Sequence, residues 1–269
     1  MKRFCILPIL FIAAQVSYSQ ELALQWQDLE RGAQYAVYEG EYLGINQCIS
    51  ILRYPSSKFR TDIVNDPGSS CGKTSTLAMR HGAFAAINGS YFNMKTLYPS
   101  TYVKEDNVQE GFTRKNEMSR VDGIVSTNRK KVSIVRSDTL HYQQNAKKYQ
   151  DSMASGPVLL LGGKDVVTPT PSASFFTGRH PRTIIGYTKG AKWVYFIEID
   201  GRFPKAKGMT VEEEAKLCLE LGLYDALNLD GGGSSCLWTV KTGVLGHPYD
   251  NKKYDHHGER RVPNIIMIK

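Results

Sequence analysis

Short segments in which apolar and polar residues alternate predict mainly β-strands in the first half of the chain. These segments are rich in β-branched and aromatic residues and end at glycine, proline or asparagine, as strands joined by turns do. Residues 74–82 begin with hydroxyl side chains and end in glycine, which indicates a short helix, whereas residues 138–156 are polar and predict a helix or loops. The predicted strands are "QYAVYEG", "NQCISILRY", "KFRTDIV", "AFAAINGSYF", "GIVSTN" and "KVSIVRS", the last two as a hairpin.

The second half of the chain contains the clearest helix pattern. Apolar residues recur at helical spacing from Val211 to Leu221, and Thr210 with Glu213 forms a capping box. The segments "RTIIGYT" and "KWVYFIEID" precede this helix as a hairpin, "YDALNLD" follows it, and "VPNIIMIK" ends the chain as a strand. Many strands with few helices predict an α+β fold, a single domain with a large mixed, mostly antiparallel sheet flanked by a few helices.

Residues 1–19 have the layout of a cleaved secretory signal. Two basic residues start the segment, a short apolar stretch follows, and small residues precede Gln20, where we expect the mature chain to begin. The apolar stretch is too short to span a membrane, and no later stretch approaches that length. We therefore predict an exported protein, periplasmic or secreted, that does not span the membrane.

Charge and cysteine content narrow the classes of partner. The formal net charge of +8 becomes +6 without the signal, which favours anionic ligands or simply gives solubility. The chain has no run of basic residues interleaved with aromatics, the pattern that would predict nucleic-acid binding.

Four cysteines remain after the signal, Cys48, Cys71, Cys218 and Cys236, and three pairings are open to them. We prefer a Cys48–Cys71 disulfide. No cysteine or histidine spacing is typical of zinc, so we predict neither a metal nor another cofactor.

Three apolar strands end in Asn-Gly or Asp-Gly, within Ile87–Phe92, Ile199–Arg202 and Leu229–Ser235. Any one such dipeptide is typical of a plain turn. Three of them in one fold indicate a ligand cleft at strand ends. The run Gly231–Gly233 is the most specific, because successive bare backbone N–H groups form an anion nest. The glycine run is not a Walker loop, because no Gly-Lys-Ser/Thr follows it, and it is not a nucleophile elbow, because it lacks the G-x-S-x-G pattern. Serine-hydrolase chemistry at this stretch therefore has little support.

Arginine and histidine residues lie next to these breaks. Arg182 opens a strongly apolar strand and Arg261 precedes the last strand, and a guanidinium group binds phosphate with two parallel hydrogen bonds. Arg179 and Arg260 have the pattern of surface charges. His180 fits a structural role at least as well as a catalytic one.

The chain resembles the phosphodiester glycosidase family from about residue 74 to its end. The family includes an enzyme that removes N-acetylglucosamine from a sugar phosphodiester. The resemblance divides the chain into a signal peptide (1–19), an N-terminal β-rich segment (20–73) and a phosphodiester glycosidase domain (74–269). In "NGSYF" one extra residue separates the glycine from the phenylalanine, so Tyr91 or Phe92 fills the aromatic position. The matching segments are "AAINGSYF", "SGPVLL", "RHPRTIIG", "GMTVEEEAKLCLELGLYDALNLDGGGSS" and "RRVPNIIMIK".

The resemblance implies cleavage of the sugar C1–O bond of a sugar-1-phosphodiester or phosphorylated glycan. Its phosphate leaving group is acidic, so a strong general acid is less needed than in ordinary glycosidases. A carboxylate must still face the developing oxocarbenium ion or activate water. Asp230 and Asp200 are the candidates for this carboxylate, and Glu198 lies behind them. The candidate catalytic residues are Asp230, Asp200 and Arg182. The candidate substrate-binding residues are Asn88, Gly89, Tyr91, Gly231, Gly232, Gly233, Ser234, Ser235, Arg261, Asn264 and His180, with Asn264 orienting the loop near Arg261.

Two other classes of function stay open at this point. A module that binds glycans or phosphates without turnover would use the same cleft. A phosphodiesterase that cuts at phosphorus usually holds divalent metals with sets of aspartate and histidine residues. The oligomeric state is open as well.

Overall fold

The structure, a computed structural model, describes residues 22–168 and 173–269. The predicted secretory signal and the cleavage position before Gln20 lie outside the described residues. In the described ranges no helix is both long enough and apolar enough to cross a bilayer.

The elements below carry the labels used throughout. The helices are α1 (Thr74–Arg80), α2 (Tyr142–Ala146), α3 (Ala173–Thr177) and α4 (Val211–Glu220). The strands are β1 (Gln27–Asp28), β2 (Gln34–Tyr42), β3 (Ile45–Pro55), β4 (Thr61–Asn65), β5 (Gly72–Lys73), β6 (Ala85–Asn88), β7 (Val103–Glu105), β8 (Val108–Gly111), β9 (Gly123–Thr127), β10 (Val132–Arg136), β11 (Asp151–Ser155), β12 (Val158–Leu161), β13 (Lys164–Asp165), β14 (Arg182–Tyr187), β15 (Trp193–Ile199), β16 (Asp225–Asn228), β17 (Leu237–Thr239), β18 (Gly243–Val244), β19 (Arg261–Val262) and β20 (Asn264–Ile268).

Most of the strands belong to three sheets. An eight-stranded sheet has the order β1-β2-β3-β15-β14-β16-β12-β13, and two five-stranded sheets have the orders β10-β9-β11-β7-β8 and β18-β17-β6-β20-β4. Neighbouring strands in the described ranges pair antiparallel throughout. The predicted α+β fold with mostly antiparallel strands is therefore confirmed. The large sheet is accompanied by two smaller ones, because β6 pairs with β17 and β20 and lies outside the sheet that contains β14 and β16.

A shared apolar core joins the three sheets. Phe196 of β15, Ile87 of β6 and Val125 of β9 belong to one buried cluster. Helix α4 covers the other face of the eight-stranded sheet, where Ala215 and Cys218 pack in a second buried cluster. The capping box of α4 forms as predicted, with both reciprocal hydrogen bonds present. Burial of these faces, rather than intrinsic helix propensity, fixes the short helices in place.

The N-terminal strands are part of the same sheets as the rest of the chain. Strand β3 pairs with β15, and β4 pairs with β20 near the C-terminus. All four cysteines of the described chain are free and buried, so the expected Cys48–Cys71 disulfide is wrong. Cys48 packs with Phe203 and Ala206, whereas Cys71 precedes the strand that pairs with β19.

Three central strands of the eight-stranded sheet, β14, β15 and β16, bring their polar ends together at the same side of the sheet. Strand β14 lies between β15 and β16 and runs antiparallel to both. Arg182 at the start of β14 is paired with Ile199 at the end of β15, and Ile184 is paired with Asn228 at the end of β16. The Asp-Gly breaks after β15 and β16 therefore emerge beside the start of β14.

Candidate active site

The break after β6 and the break after β16 hold each other through hydrogen bonds. The backbone N–H of Asp230 donates to the carbonyl of Gly89 at 3.0 Å. The side-chain amide of Asn88 donates to the carbonyl of Asp230 at 2.7 Å. Two segments from different sheets thus fix the position of Asp230.

Asp230 lies at a cavity of about 180 Å³ between these strand ends. A larger cavity of about 600 Å³ lies beside α2, but its described lining contains no carboxylate or histidine. Among the described residues that line the smaller cavity, Asp230 is the one carboxylate. That lining consists of Tyr91, Arg120, Phe175, His180, Pro181, Arg182, Arg202, Asp230, Gly231 and Gly232.

The Asp230 carboxyl group has opposing influences on its protonation. Burial by the surrounding protein raises its pKa above the ordinary value, while the Ser234 hydroxyl and the guanidinium groups of Arg120 and Arg260 lower it. Part of the residue is open to the cavity. A carboxylate with a raised pKa is a better proton acceptor than an ordinary aspartate, and that is what general-base chemistry near neutral pH requires.

Arg182 is almost fully buried, at 2% exposure, and is held mostly by backbone carbonyls. Its Nε donates to Met209 at 2.9 Å, and its Nη2 donates to Phe175 at 2.9 Å and Gly178 at 3.1 Å. Nε also lies 2.8 Å from a carboxyl oxygen of Glu214, but neither oxygen of Glu214 accepts a hydrogen bond from the described chain. Arg182 therefore fixes the walls of the cavity as well as contributing charge.

Glu214 does not cancel the charge of Arg182 at neutral pH. Burial in α4 raises the pKa of Glu214 to about 8, although the nearby Arg182 lowers it. A carboxyl group with this pKa is mostly protonated at pH 7. The guanidinium charge of Arg182 consequently remains unbalanced beside the cavity, where it favours an anion.

The three glycines make room for close approach of neighbouring atoms. The N–H of Gly232 donates to the carbonyl of Pro181 at 2.8 Å, so this one donor of the predicted anion nest is already engaged by the protein. A Cβ atom on Gly231 would lie 2.6 Å from the same carbonyl oxygen. Gly232 has φ of +66°, and a Cβ there would lie 3.1 Å from Nη2 of Arg202. A Cβ on Gly233 would overlap the Arg260 side chain.

Two further arginines line the cavity, Arg120 from a segment without a motif and Arg202 from the end of the predicted break after β15. Arg120 lies 4.0 Å above the ring of Tyr91 and donates to Glu117. Arg202 is exposed and adopts a left-handed backbone with φ of +68°, which is uncommon for a long side chain. No carboxylate of residues 22–168 or 173–269 lies within ion-pair distance of Arg202. Arg202 is therefore the cavity cation that is available to an anionic ligand.

Asp200 lies outside this cavity, contrary to expectation. It is 1% exposed, and its two oxygens contact the backbone N–H and Nδ1 of His247, each at 2.7 Å. Asp200 follows β15 directly, and its carboxyl group lies beside that of Glu198, since a Cβ on Gly246 would overlap an oxygen of Glu198 and lie 2.9 Å from one of Asp200. From this third break, the backbone at Gly201 approaches Pro181 and the Arg202 side chain lines the cavity.

The remaining predicted residues occupy structural positions around the cavity. Asn88 is fully buried, and its Oδ1 accepts hydrogen bonds from Thr183 and from the N–H of Cys236, so it supports Asp230 and has no atom free for a sugar. Asn264 accepts a hydrogen bond from the N–H of Ser90 at 2.8 Å, which fixes the break after β6 and not the loop near Arg261.

Arg261 was expected at the cavity, but it is not among the described residues that line it. Its guanidinium group donates to the carbonyl of Cys71 at 3.1 Å, and β19 pairs with β5 away from the lining residues. Its neighbour Arg260, expected as a surface charge, is partly exposed, donates to the exposed Asp250 and lies against Gly233. Ser234 and Ser235 are each 1% exposed and lie beneath the cavity.

Tyr91 and His180 both line the cavity. The Tyr91 hydroxyl donates to the carbonyl of Gly156 at 2.6 Å, which leaves its ring toward the cavity. Burial lowers the pKa of His180, so its imidazole is neutral at pH 7. Together the lining offers one carboxylate, several cations and aromatic rings, a set suited to a sugar joined to an anion.

Comparisons with known proteins concern the family and the fold of the chain. The family model described as phosphodiester glycosidase matches residues 81–269. A search of curated protein sequences finds no match to the chain. Similar solved folds include the zebrafish N-acetylglucosamine-1-phosphodiester alpha-N-acetylglucosaminidase catalytic domain, auto-inhibited by its pro-peptide, with a TM-score of 0.66 at 16% identity over 88% of this chain and 82% of that one.

Two bacterial structures share the fold as well. A hypothetical protein from Synechocystis has a TM-score of 0.68 at 13% identity, over 91% of this chain and 63% of that one. A protein of Burkholderia pseudomallei K96243 that is described as exported has a TM-score of 0.62 at 16% identity, over 85% of this chain and 75% of that one. At such identities the likeness concerns the fold.

Proposed function

The chain belongs to the phosphodiester glycosidase family, and from this premise we propose that it is an exported glycosidase that hydrolyses the sugar C1–O bond of a sugar-1-phosphodiester in glycan or cell-envelope material. The observation that most supports this function is the position of Asp230, the one carboxylate among the described residues that line the cavity together with Arg120, Arg182 and Arg202. One carboxylate among cations suits a substrate whose leaving group is already an anion.

The proposed reaction begins with the phosphate bound by the cations. Arg202 contacts the phosphate directly, and the unbalanced charge of Arg182 adds to the positive potential there. As the C1–O bond breaks, its electron pair stays on the phosphate oxygen, and the guanidinium groups stabilise that growing charge. This stabilisation takes the place of the general acid that ordinary glycosidases need.

Asp230 completes the reaction on the sugar side. Its carboxylate faces the positive charge that develops at C1, and it accepts a proton from the attacking water as the new C1–O bond forms. The products are the free sugar, with the water oxygen on C1, and a phosphomonoester. The rings of Tyr91 and Phe175 offer a surface on which the apolar face of a sugar can pack.

An isotope experiment tests the function and the bond that breaks. Purified protein is incubated with a small panel of sugar-1-phosphodiesters in ¹⁸O-labelled water. We expect free sugar that contains the label at C1 and an unlabelled phosphomonoester. Label in the phosphate would establish a phosphodiesterase, and saturable binding without any product would establish a binding module; either result contradicts the proposal.

A further inference from the structure

A carboxylate, a thiol and an imidazole meet beside Asp200, outside the cavity. Glu39, Cys48 and His247 each offer one ligand atom, and the three atoms lie within 4.8 Å of one another. Glu39 and Cys48 are directly opposed in the antiparallel pair β2–β3, so their side chains leave the sheet side by side. His247 reaches them from a loop near the C-terminus.

The spacing of the sulfur and the nitrogen fits a metal ion between them. Sγ of Cys48 lies 3.9 Å from Nδ1 of His247. A zinc ion bound to sulfur at about 2.3 Å and to nitrogen at about 2.1 Å, with tetrahedral angles, separates these ligand atoms by about 3.6 Å. A shift of a few tenths of an ångström therefore brings the pair to coordination distance.

The His247 ring is already held in one orientation. Asp200 contacts both its backbone N–H and its Nδ1, and the ring stacks on Tyr254 at 3.7 Å and on His256 at 4.7 Å between centroids. Metal-binding histidines usually have their carboxylate partner on the ring nitrogen opposite the metal. Here Asp200 and Cys48 both approach Nδ1, so a zinc ion at Nδ1 displaces the Asp200 contact with that atom. Asp200 keeps its hydrogen bond from the backbone N–H of His247, and the stacked rings keep the imidazole in place.

The buried carboxyl groups near the Cys48 thiol favour a bound cation. Glu198 of β15 and Asp200, which follows that strand, are both buried, and both oxygens of Glu198 lack a hydrogen-bond partner in the described chain. A divalent cation would supply the missing positive charge and displace the thiol proton.

We propose that Glu39, Cys48 and His247 bind a zinc ion that ties strands β2 and β3 to the loop around His247. A thiolate and an imidazole favour zinc over magnesium or calcium, which prefer oxygen ligands. Three protein ligands leave a fourth position for water.

The zinc ion acts on the active site through the C-terminal loop. The same loop contains Asp250, whose carboxylate accepts hydrogen bonds from Arg260 and so holds it against Gly233. Binding at His247 orders this loop and stabilises the folded chain. The role is structural, because Asp230 lies at a different cavity.

The test measures metal binding, so it does not depend on catalytic activity. Full-length chain without an affinity tag is stripped of metal and titrated with zinc against a coloured chelator, and with cobalt(II) to detect thiolate charge-transfer absorption. We expect one zinc ion per chain, a higher Tm with zinc, and a cobalt–thiolate band. Cys48→Ser should abolish the band, while Cys218→Ser, which changes another buried free thiol, should retain it.

A second variant covers the case in which Cys48→Ser does not fold. Glu39 is exposed, so Glu39→Gln should fold normally and weaken zinc binding by at least about tenfold. Absence of stoichiometric zinc binding by the unmodified chain would overturn the proposal. A thiolate band that survives Cys48→Ser, or an affinity unchanged in Glu39→Gln, would overturn it too, because the metal would then lie elsewhere.

Discussion

Asn88 donates a hydrogen bond from its side-chain amide to the backbone carbonyl of Asp230 at 2.7 Å. The backbone N–H of Asp230 in turn donates to Gly89, the next residue along from Asn88. Two polar strand ends, each of which alone is typical of a turn, thus form one junction between two sheets. The junction explains why a polar side chain is completely buried at the end of an apolar strand.

Replacing Asn88 by alanine should destabilise the fold. The variant leaves the Thr183 hydroxyl, the Cys236 N–H and the Asp230 carbonyl without their partner, and each unpaired buried group costs about 1–3 kcal/mol. We expect the free energy of unfolding in urea to fall by about 3 kcal/mol. Asn128→Ala, at an exposed turn, should change it by less than about 0.5 kcal/mol. Equal effects of the two substitutions would contradict the junction.

Asp230→Asn should fold but lose hydrolysis. The amide keeps the shape of the side chain but cannot accept the proton of the attacking water, and general-base catalysis contributes about 10²–10⁴-fold. We expect kcat for sugar release to fall by about 10³-fold with an unchanged circular dichroism spectrum. Asp225→Asn makes the same change at the other end of β16, where the side chain accepts a hydrogen bond from Gly162, and should retain activity. Normal turnover by Asp230→Asn would remove the proposed role.

The part of this site that is built from short continuous segments, namely the strand ends and the glycine run, could be predicted from the sequence. An apolar strand followed by Asn-Gly or Asp-Gly marks a strand end, and the run of glycines marks close approach, so Asp230 and its neighbours were found. The direction of each side chain depends on tertiary pairing. Asp200 shares a spacing of two with Glu198, which predicts a common face, but only the fold shows that His247 lies opposite that face.

The cations of the cavity illustrate the limit of sequence patterns. Arg120 belongs to a polar segment without a motif and reaches the cavity because its guanidinium group stacks on Tyr91. Arg260 and Arg261 are neighbours with the same chemistry, and strand pairing alone decides which of them approaches Gly233. Such choices are made by packing between distant segments, so residue type and spacing do not contain them.

Arg202→Gln should weaken substrate binding more than it slows turnover. Arg202 is exposed at the cavity and free of ion pairs within the described chain, so its charge is available to the phosphate. A hydrogen bond to a charged group contributes about 1.5–3 kcal/mol, so we expect KM to rise about tenfold or more. Lys189→Gln removes one charge at the opposite end of the β14–β15 hairpin and serves as control. A KM that is unchanged in Arg202→Gln would exclude direct contact with the phosphate.

Glu214 should make stability depend on pH. Its pKa is raised from 4.5 to about 8 in the folded chain, so between these values the folded chain binds a proton that the unfolded chain has released. The stability from this group is therefore fully present below about pH 4.5 and is lost as the pH rises through 8. Glu214→Gln should remove this component, measured as urea unfolding from pH 5 to 8. Glu212→Gln, at an exposed neighbour, should follow the unmodified chain; parallel curves for all three proteins would contradict the assignment.

Gly231→Ala should damage both the fold and the cavity. The added Cβ would lie 2.6 Å from the carbonyl oxygen of Pro181, and backbone atoms cannot move aside as a flexible side chain can. The segment after β16 and the backbone at Pro181 must therefore move apart. We expect a loss of about 1–3 kcal/mol in the free energy of unfolding and a fall in kcat/KM. Gly40→Ala is the control, because its new Cβ would meet only the Tyr38 side chain at 3.1 Å. If Gly231→Ala matches Gly40→Ala in stability and activity, close approach of Pro181 is not the reason for glycine at that position.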